Sequence, residues 1–116
     1  MHELGVTFYV IRDVKKAAEE NNVERVDFVT LEIGEVSGVI HEQLIDCWNW
    51  ARKKEKVTEN AELRIETLEA VTFCEDCKQE YGTVEFGKTC PYCGSGHTYL
   101  LRGNEFNIKE IGIYDG

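Results

Sequence analysis

The stretch Cys74-Glu75-Asp76-Cys77 … Cys90-Pro91-Tyr92-Cys93-Gly94-Ser95 places two C-x-x-C pairs on either side of a twelve-residue spacer. Each pair can turn back on itself and offer both thiolates to one tetrahedral ion. The spacer is long enough for a hairpin that brings the two knuckles face to face. Four soft sulfur donors suit Zn²⁺ best, so the pattern reads as a zinc ribbon with Cys74, Cys77, Cys90 and Cys93 as ligands. Pro91 and Gly94 fit tight knuckles in which backbone N–H groups turn towards the sulfurs. The competing readings are two disulfides or a redox dithiol. Nothing else in the chain suggests an oxidising compartment or a thioredoxin-like fold.

Outward from the ribbon, length and charge set the bounds. The chain has 116 residues, room for one modest core plus one small metal-stapled module. With 22 acidic and 13 basic residues the net charge is −9, which disfavours nucleic acid and anionic membranes as partners. No apolar run approaches the ~20 residues of a membrane span. The N-terminus carries Glu3 where a signal peptide has positive charge, and no long apolar segment follows it. A cytoplasmic protein with reduced cysteines is expected.

The flanking segments read as an α/β domain. Val10, Ile11, Val14, Ala17, Ala18 and Asn21 recur at helical spacing, which predicts a helix from Val6 to about Asn21, stopped at Asn21-Asn22. Val26 to Ile33 reads as a strand, and Gly34 marks a bend where the chain leaves it. A second helix is expected from about Ile40 to Lys54, burying Ile40, Leu44, Trp48 and Ala51. Cys47 reads as a buried small apolar residue and Trp50 as exposed. Ala61 to Leu68 alternates, with Leu63 and Ile65 inward and Glu62, Arg64 and Glu66 in water. In the last strand, Glu105 to Ile113, Phe106 and Ile108 share one phase while Ile111 and Ile113 share the other. That change predicts a bulge near Lys109-Glu110. The fold class is therefore α+β: a small three-stranded sheet with two helices, plus an inserted four-cysteine zinc-ribbon module. The expected boundaries are 1–69 with 105–116 for the α/β domain and 70–104 for the ribbon.

The ribbon needs its metal. Phe73, Tyr81, Phe86, Tyr92 and Tyr99 are its main bulky residues, too few to hold such a module together. Structural zinc supplies on the order of 10–16 kcal/mol in small metal-dependent modules. At the other end, Met1-His2-Glu3 places an α-amine, an amide nitrogen and an imidazole on consecutive atoms. These close a five- and a six-membered chelate ring around Ni²⁺ or Cu²⁺, which accept planar nitrogen donors. Glu3, another side chain or an acceptor protein would complete the set. The ordinary reading of a lone His2 is an idle surface residue. His97, just past the second knuckle, is an exposed residue or a further donor to a metal at the N-terminus.

Met1-His2-Glu3, the segment L-E-I-G-E-V-S-G-V (31–39), the four-cysteine ribbon with C-P-Y-C-G and the closing N-I-K-E-I (107–111) together resemble the HypA family over essentially the whole chain. These are nickel metallochaperones for [NiFe]-hydrogenase and in some organisms urease. The main departure is His41, where many relatives have proline before E-x-L. The resemblance implies nickel binding by His2 and Glu3, structural zinc on the four cysteines, and Ni(II) as the transported ion. It also implies a HypB-type accessory GTPase and the hydrogenase large-subunit precursor as partners, with the chain a monomer or homodimer. The alternative is a zinc-ribbon protein-interaction adaptor without nickel traffic, which predicts indifference to His2. An enzyme is not expected. Four cysteines close the zinc site, and the sequence offers no nucleophile–base set or phosphate-binding glycine loop.

Overall fold

The computed structural model describes residues 3–114. Its first helix, α1 (Glu3–Glu20), begins three residues before the periodicity suggests, so Glu3 lies in its first turn. Thr7 joins Val10, Ile11, Val14 and Ala18 on the buried stripe, because its hydroxyl donates to the Glu3 carbonyl at 2.8 Å. A hydroxyl satisfied within its own helix packs like a small apolar group. The helix stops where expected, through backbone geometry. Asn22 takes a positive φ of 56°, and the N–H groups of Asn22 and Val23 donate to the carbonyls of Glu19 and Ala18. This is a Schellman closure. Asn21 is exposed, not part of the stripe, and its side-chain amide donates to Ala17 O at 2.7 Å.

Strand β1 (Phe28–Gly34) follows, with Val29, Leu31 and Ile33 fully buried. The second helix, α2 (His41–Ala51), packs beside α1 and buries Leu44, Trp48 and Ala51. Ile40 is its N-cap residue and is 52% exposed, contrary to the periodic reading. A residue one step before a helix no longer follows the helical phase. Cys47 is half-buried. The Trp48 indole donates to Ala61 O at 2.9 Å, so the largest core side chain is apolar packing and tether at once. Beyond α2 two 3-10 turns, Arg52–Lys54 and Lys56–Thr58, are held by the buried Thr58 hydroxyl, which donates to Arg52 O at 2.8 Å.

Strand β2 (Glu62–Leu68) comes next, and the strand β6 (Phe106–Gly112) closes the sheet in the order β2-β1-β6. Two bonds that join the ends of β1 and β2, Glu62 N to Asp27 O and Glu35 N to Leu68 O, show that these strands run in the same direction. A parallel pair needs a crossover, and α2 provides it. β6 runs antiparallel to β1: Asp27 N donates to Gly112 O and Gly34 N to Glu105 O, both at 2.9 Å. Seven residue steps separate the bonded positions on each strand, so no residue is left over for the expected bulge. The apolar residues of β6 instead lie on both faces. Phe106 and Ile108 share the face of Leu31 and Ile33, while Ile111 lies with Phe28. On that second face Lys109 reaches Glu66 at 2.7 Å, above Thr30, which is 6% exposed.

The chain divides into two compact units. One takes in residues 1–31, 39–66 and 107–116; the other residues 32–38 and 67–106. The second holds an antiparallel sheet of β3 (Val71–Cys74), β4 (Glu80–Gly82) and β5 (Thr98–Arg102), in the order β4-β3-β5, and a short helix α3 (Thr83–Phe86). Residues 32–38 belong to it through specific bonds: Glu35 Oε1 accepts the Ala70 N–H at 2.7 Å, and Val36 N–H donates to Gly103 O at 2.8 Å. Among the described residues no helix is long and apolar enough to cross a membrane.

Candidate metal centre

The two knuckles have one local design. In the first, Cys74 N–H donates to Gln79 O and Lys78 N–H donates back to Cys74 O, each at 2.9 Å. In the second, Cys90 N–H donates to Ser95 O and Gly94 N–H to Cys90 O, again at 2.9 Å. The residue after each second cysteine must turn left-handed: Gly94 has φ 75° and Lys78 has φ 62°. Glycine takes that conformation freely, whereas lysine meets a steric penalty there. β3 delivers Cys74 and the start of the first knuckle. The second lies between α3 and β5, whose Thr98 pairs with Cys74.

This arrangement brings together the sulfurs of Cys74, Cys77, Cys90 and Cys93, all within 4.8 Å of one another. Cys74 Sγ lies 3.6 Å from Cys93 Sγ, and Cys77 Sγ lies 3.5 Å from Cys90 Sγ. A tetrahedron with metal–sulfur bonds of about 2.3 Å has edges of about 3.8 Å, so the cluster has the size of a four-thiolate site. A disulfide needs about 2.05 Å, and all four cysteines are free. The Tyr92 N–H points at Cys90 Sγ from 3.4 Å, as a tight knuckle requires.

Burial and the neighbouring sulfurs divide the thiols before any ion enters. Burial, reinforced by the bond to Cys90, pushes Cys77 up to about 12. Burial also opposes ionisation of Cys90, but the N–H groups of Cys93 and Tyr92 and the thiols of Cys77 and Cys74 outweigh it. They bring Cys90 down to about 7. For Cys93 the Ser95 N–H pulls downward, yet burial and the sulfurs of Cys74 and Cys90 prevail and raise it. The cluster thus holds a ready thiolate at Cys90 and resists gathering further negative charge without a cation.

Beyond the knuckles this unit buries few apolar residues, among them Ile33, Ala70 and Val71. The buried apolar cluster at the sulfurs is Cys74, Cys90 and Tyr81, with Cys77 packed against it. Phe86, Tyr92 and Tyr99, counted among its bulky residues, are exposed. A small cluster made mostly of thiols gains little from apolar burial and much from a cross-link.

A polar clasp joins the knuckles, and the spacing of the cysteines alone does not reveal it. Asp76 Oδ2 accepts the Ser95 hydroxyl and faces His97 Nδ1 at 3.2 Å. The Ser95 hydroxyl first, then the bond and charge of His97 and the charge of Lys78, hold the Asp76 carboxyl below the usual range. The Glu75 N–H donates to His97 O at 2.9 Å, so His97 is tied to the first knuckle by backbone as well.

His2, the expected nickel ligand, lies outside the described residues. Glu3 is the first residue of α1, and its Oε2 is buried with no hydrogen-bond partner among the described residues. Among those residues the four cysteines are the one group of three or more His, Cys, Asp or Glu placed to hold an ion.

Comparison with known proteins agrees with this layout from end to end. The family described as "Hydrogenase/urease nickel incorporation, metallochaperone, hypA" matches residues 1–113. The hydrogenase maturation factor HypA of Chlorobium phaeobacteroides (strain BS1) is 38% identical over 113 residues, covering 97% of this chain and 99% of the relative. That of Moorella thermoacetica is 34% identical over 116 residues, covering 100% and 99%. The solution structure of the Ni metallochaperone HypA from Helicobacter pylori shares the fold, with a TM-score of 0.71 at 23% identity over 96% of both chains. A match that runs through both units and the four-cysteine ribbon leaves one conclusion: the chain belongs to the HypA family of hydrogenase maturation factors and nickel metallochaperones.

Proposed function

We propose that this chain carries Ni²⁺ at its N-terminus and hands it over during hydrogenase maturation, with zinc held in the ribbon as a structural ion. Glu3 carries the nickel half. A buried carboxylate oxygen costs free energy unless a donor or a cation meets it, and Glu3 Oε2 has neither among the described residues. The residues just before it supply the amine, the amide and the His2 imidazole. Three nitrogens on one short segment form a planar, incomplete set, and Glu3 sits beside it. An incomplete set is open to the acceptor's own ligands, so nickel leaves by stepwise exchange, and no covalent catalysis is involved. The amine has an ordinary pKa of about 7.7–8.0, so nickel binding weakens as protons compete at lower pH.

The zinc half rests on the size and chemistry of the sulfur cluster. Cys74, Cys77, Cys90 and Cys93 hold the ion, and the cross-link replaces the apolar core the ribbon lacks. In this reading residues 1–69 and 105–116 form the nickel domain and 70–104 the zinc domain. The setting is the cytoplasm, a HypB-type GTPase is the accessory partner and the hydrogenase large-subunit precursor the recipient, with urease as the alternative recipient.

The test is nickel titration of untagged, zinc-loaded protein, wild type beside His2→Ala, with zinc measured before and after. The expected result is about one Ni²⁺ per wild-type chain, none in the variant, and zinc retained in both. Equal binding by both proteins, or displacement of zinc by nickel, overturns the reading in favour of an adaptor.

A further inference from the structure

The chain carries a net charge of −9, yet seven of its 13 basic residues are Arg12, Lys15 and Lys16 of α1 and Arg52, Lys53, Lys54 and Lys56 just after α2. The two helices pack side by side, and Arg12 and Lys15 of the first line one concavity with Lys54 beyond the second. Between them lies a groove of about 270 Å³ lined by Phe8, Ile11, Arg12, Lys15, Ala51, Lys54 and Glu55. At its edge Phe8 and Trp50 meet edge to face, 6.3 Å between centroids, and remain 42% and 55% exposed. Lys54 Nζ lies 4.1 Å above the Trp50 ring, and the Arg12 guanidinium lies 5.0 Å from the centre of Tyr9. These cation–π contacts hold the charged heads against the aromatic faces instead of letting them wander. Glu55 is paired with Lys15 at 3.3 Å and Asp13 with Arg12 at 3.7 Å. Lys16, Lys53, Lys54 and Lys56 have no ion pair among the described residues.

We propose that this groove is a docking site for an acidic segment of a partner protein that carries one apolar anchor. The anchor enters the groove over Ile11 and Ala51, beside the Phe8–Trp50 pair, and carboxylates on either side meet Arg12 and Lys54. Exposed Trp, Phe, Tyr and Arg around a concavity are the residues that dominate protein interfaces, and here the surrounding cations select for sign. A nucleic acid is disfavoured because its affinity grows with the number of phosphates neutralised, and beyond this patch the chain repels them. Phe8 stands five residues after Glu3 on the same helix, an axial rise of about 7.5 Å. A partner seated there would lie close to the N-terminus. Docking does not depend on the nickel reading; only its use for delivery does.

The probe is a fluorescein-labelled peptide of Glu and Asp with a single central Phe, titrated against zinc-loaded full-length chain by fluorescence anisotropy. Saturable binding is expected. It should weaken at least tenfold in Trp50→Ala/Lys54→Glu, and separately in Arg12→Glu, and fall as salt rises from 50 to 300 mM. Unchanged thermal midpoints and zinc content in these surface variants establish that folding is intact. The proposal is overturned if the variants bind as wild type does, or if no saturable binding is seen. It is equally overturned if a mixed-sequence oligonucleotide or phosphatidylserine vesicles bind as well as the peptide. A concentration-dependent dimer abolished by the same substitutions would make a second copy of the chain the occupant and would likewise sink it.

Discussion

A β-carbon at Gly34 would land on the carbonyl of Gly103. One at Gly103, which has φ 122°, would land in turn on Ala70. Gly34, Gly103 and Ala70 thus form a backbone-to-backbone contact, fastened by Glu35 on the Ala70 N–H and by Glu105 Oε1 on the Gly103 N–H at 2.7 Å. Backbone cannot swing aside as a side chain can. Gly34→Ala is expected to destabilise the protein by about 3 kcal/mol, at the upper end of ordinary overpacking. Urea denaturation followed by far-UV circular dichroism measures this; a loss below about 1 kcal/mol would show that the contact yields easily.

Lys78 and Gly94 offer the opposite case. Both occupy the left-handed position after the second cysteine of a knuckle, but only one of them is glycine. Lys78→Gly removes a steric penalty of roughly 1–2 kcal/mol and adds back part of it as unfolded-chain entropy. A net gain of roughly 0.5–1 kcal/mol remains. With zinc as the structural ion proposed above, folding of this unit and metal binding are linked, so apparent zinc affinity should rise about two- to fivefold in competition with a chromophoric chelator. Gly94→Ala should move it the other way.

Gly34 and Gly103 mark how far the sequence could be read. The ribbon was legible because four cysteines at fixed spacing carry their chemistry with them. The sheet was legible because Leu63 and Ile65 alternate with charges, and Val29, Leu31 and Ile33 share one phase. The interlock of Gly34 with Gly103 was not, since it joins residues 69 positions apart through backbone atoms that leave no pattern. Gly34 was read only as a bend. Thr7 and Thr58 were missed as core for a related reason: each buries a hydroxyl whose bond to a nearby carbonyl shows only once the chain is folded. On β6 the pattern misled. Ile111 and Ile113 suggested a change of phase, whereas an unbroken strand presents apolar residues to both faces.

The sulfur cluster sets a proton count for metal uptake. At pH 7.5 Cys90, brought down to about 7, is mostly thiolate, while Cys77, near 12, and the raised Cys93 keep their protons. A four-thiolate zinc site must expel the protons of Cys77 and Cys93. Binding should therefore release at least about two protons, and affinity should fall at least about a hundredfold for a one-unit drop from pH 8.5 to 7.5. The sign is fixed by the direction of the shifts: thiols raised above the working pH make the apo cluster favour protons over metal as pH falls. Below pH 7 Cys90 also protonates and the dependence steepens. Calorimetry in buffers of different ionisation enthalpy counts the protons; a pH-independent affinity would mean that all four sulfurs are already ionised.

The start of α1 gives the sharpest test of the proposed nickel site, because Glu3 is both its first residue and the one with a buried, unpartnered oxygen among the described residues. Two changes separate the candidate donors. A Gly-Ser extension before Met1 leaves every side chain in place but removes the α-amine from the chelate. It should weaken nickel binding by at least about a hundredfold, since one ring of the chelate is lost. Glu3→Gln keeps the amide nitrogen and the side-chain volume but removes the negative charge, and should cost about tenfold if the buried carboxylate faces the ion. Neither change touches the ribbon, so zinc content should stay at one per chain in both. Nickel affinity unchanged by the extension would exclude the amine. A tenfold loss in Glu3→Gln alone would then make the Glu3 carboxylate a ligand and leave the amine out of the set.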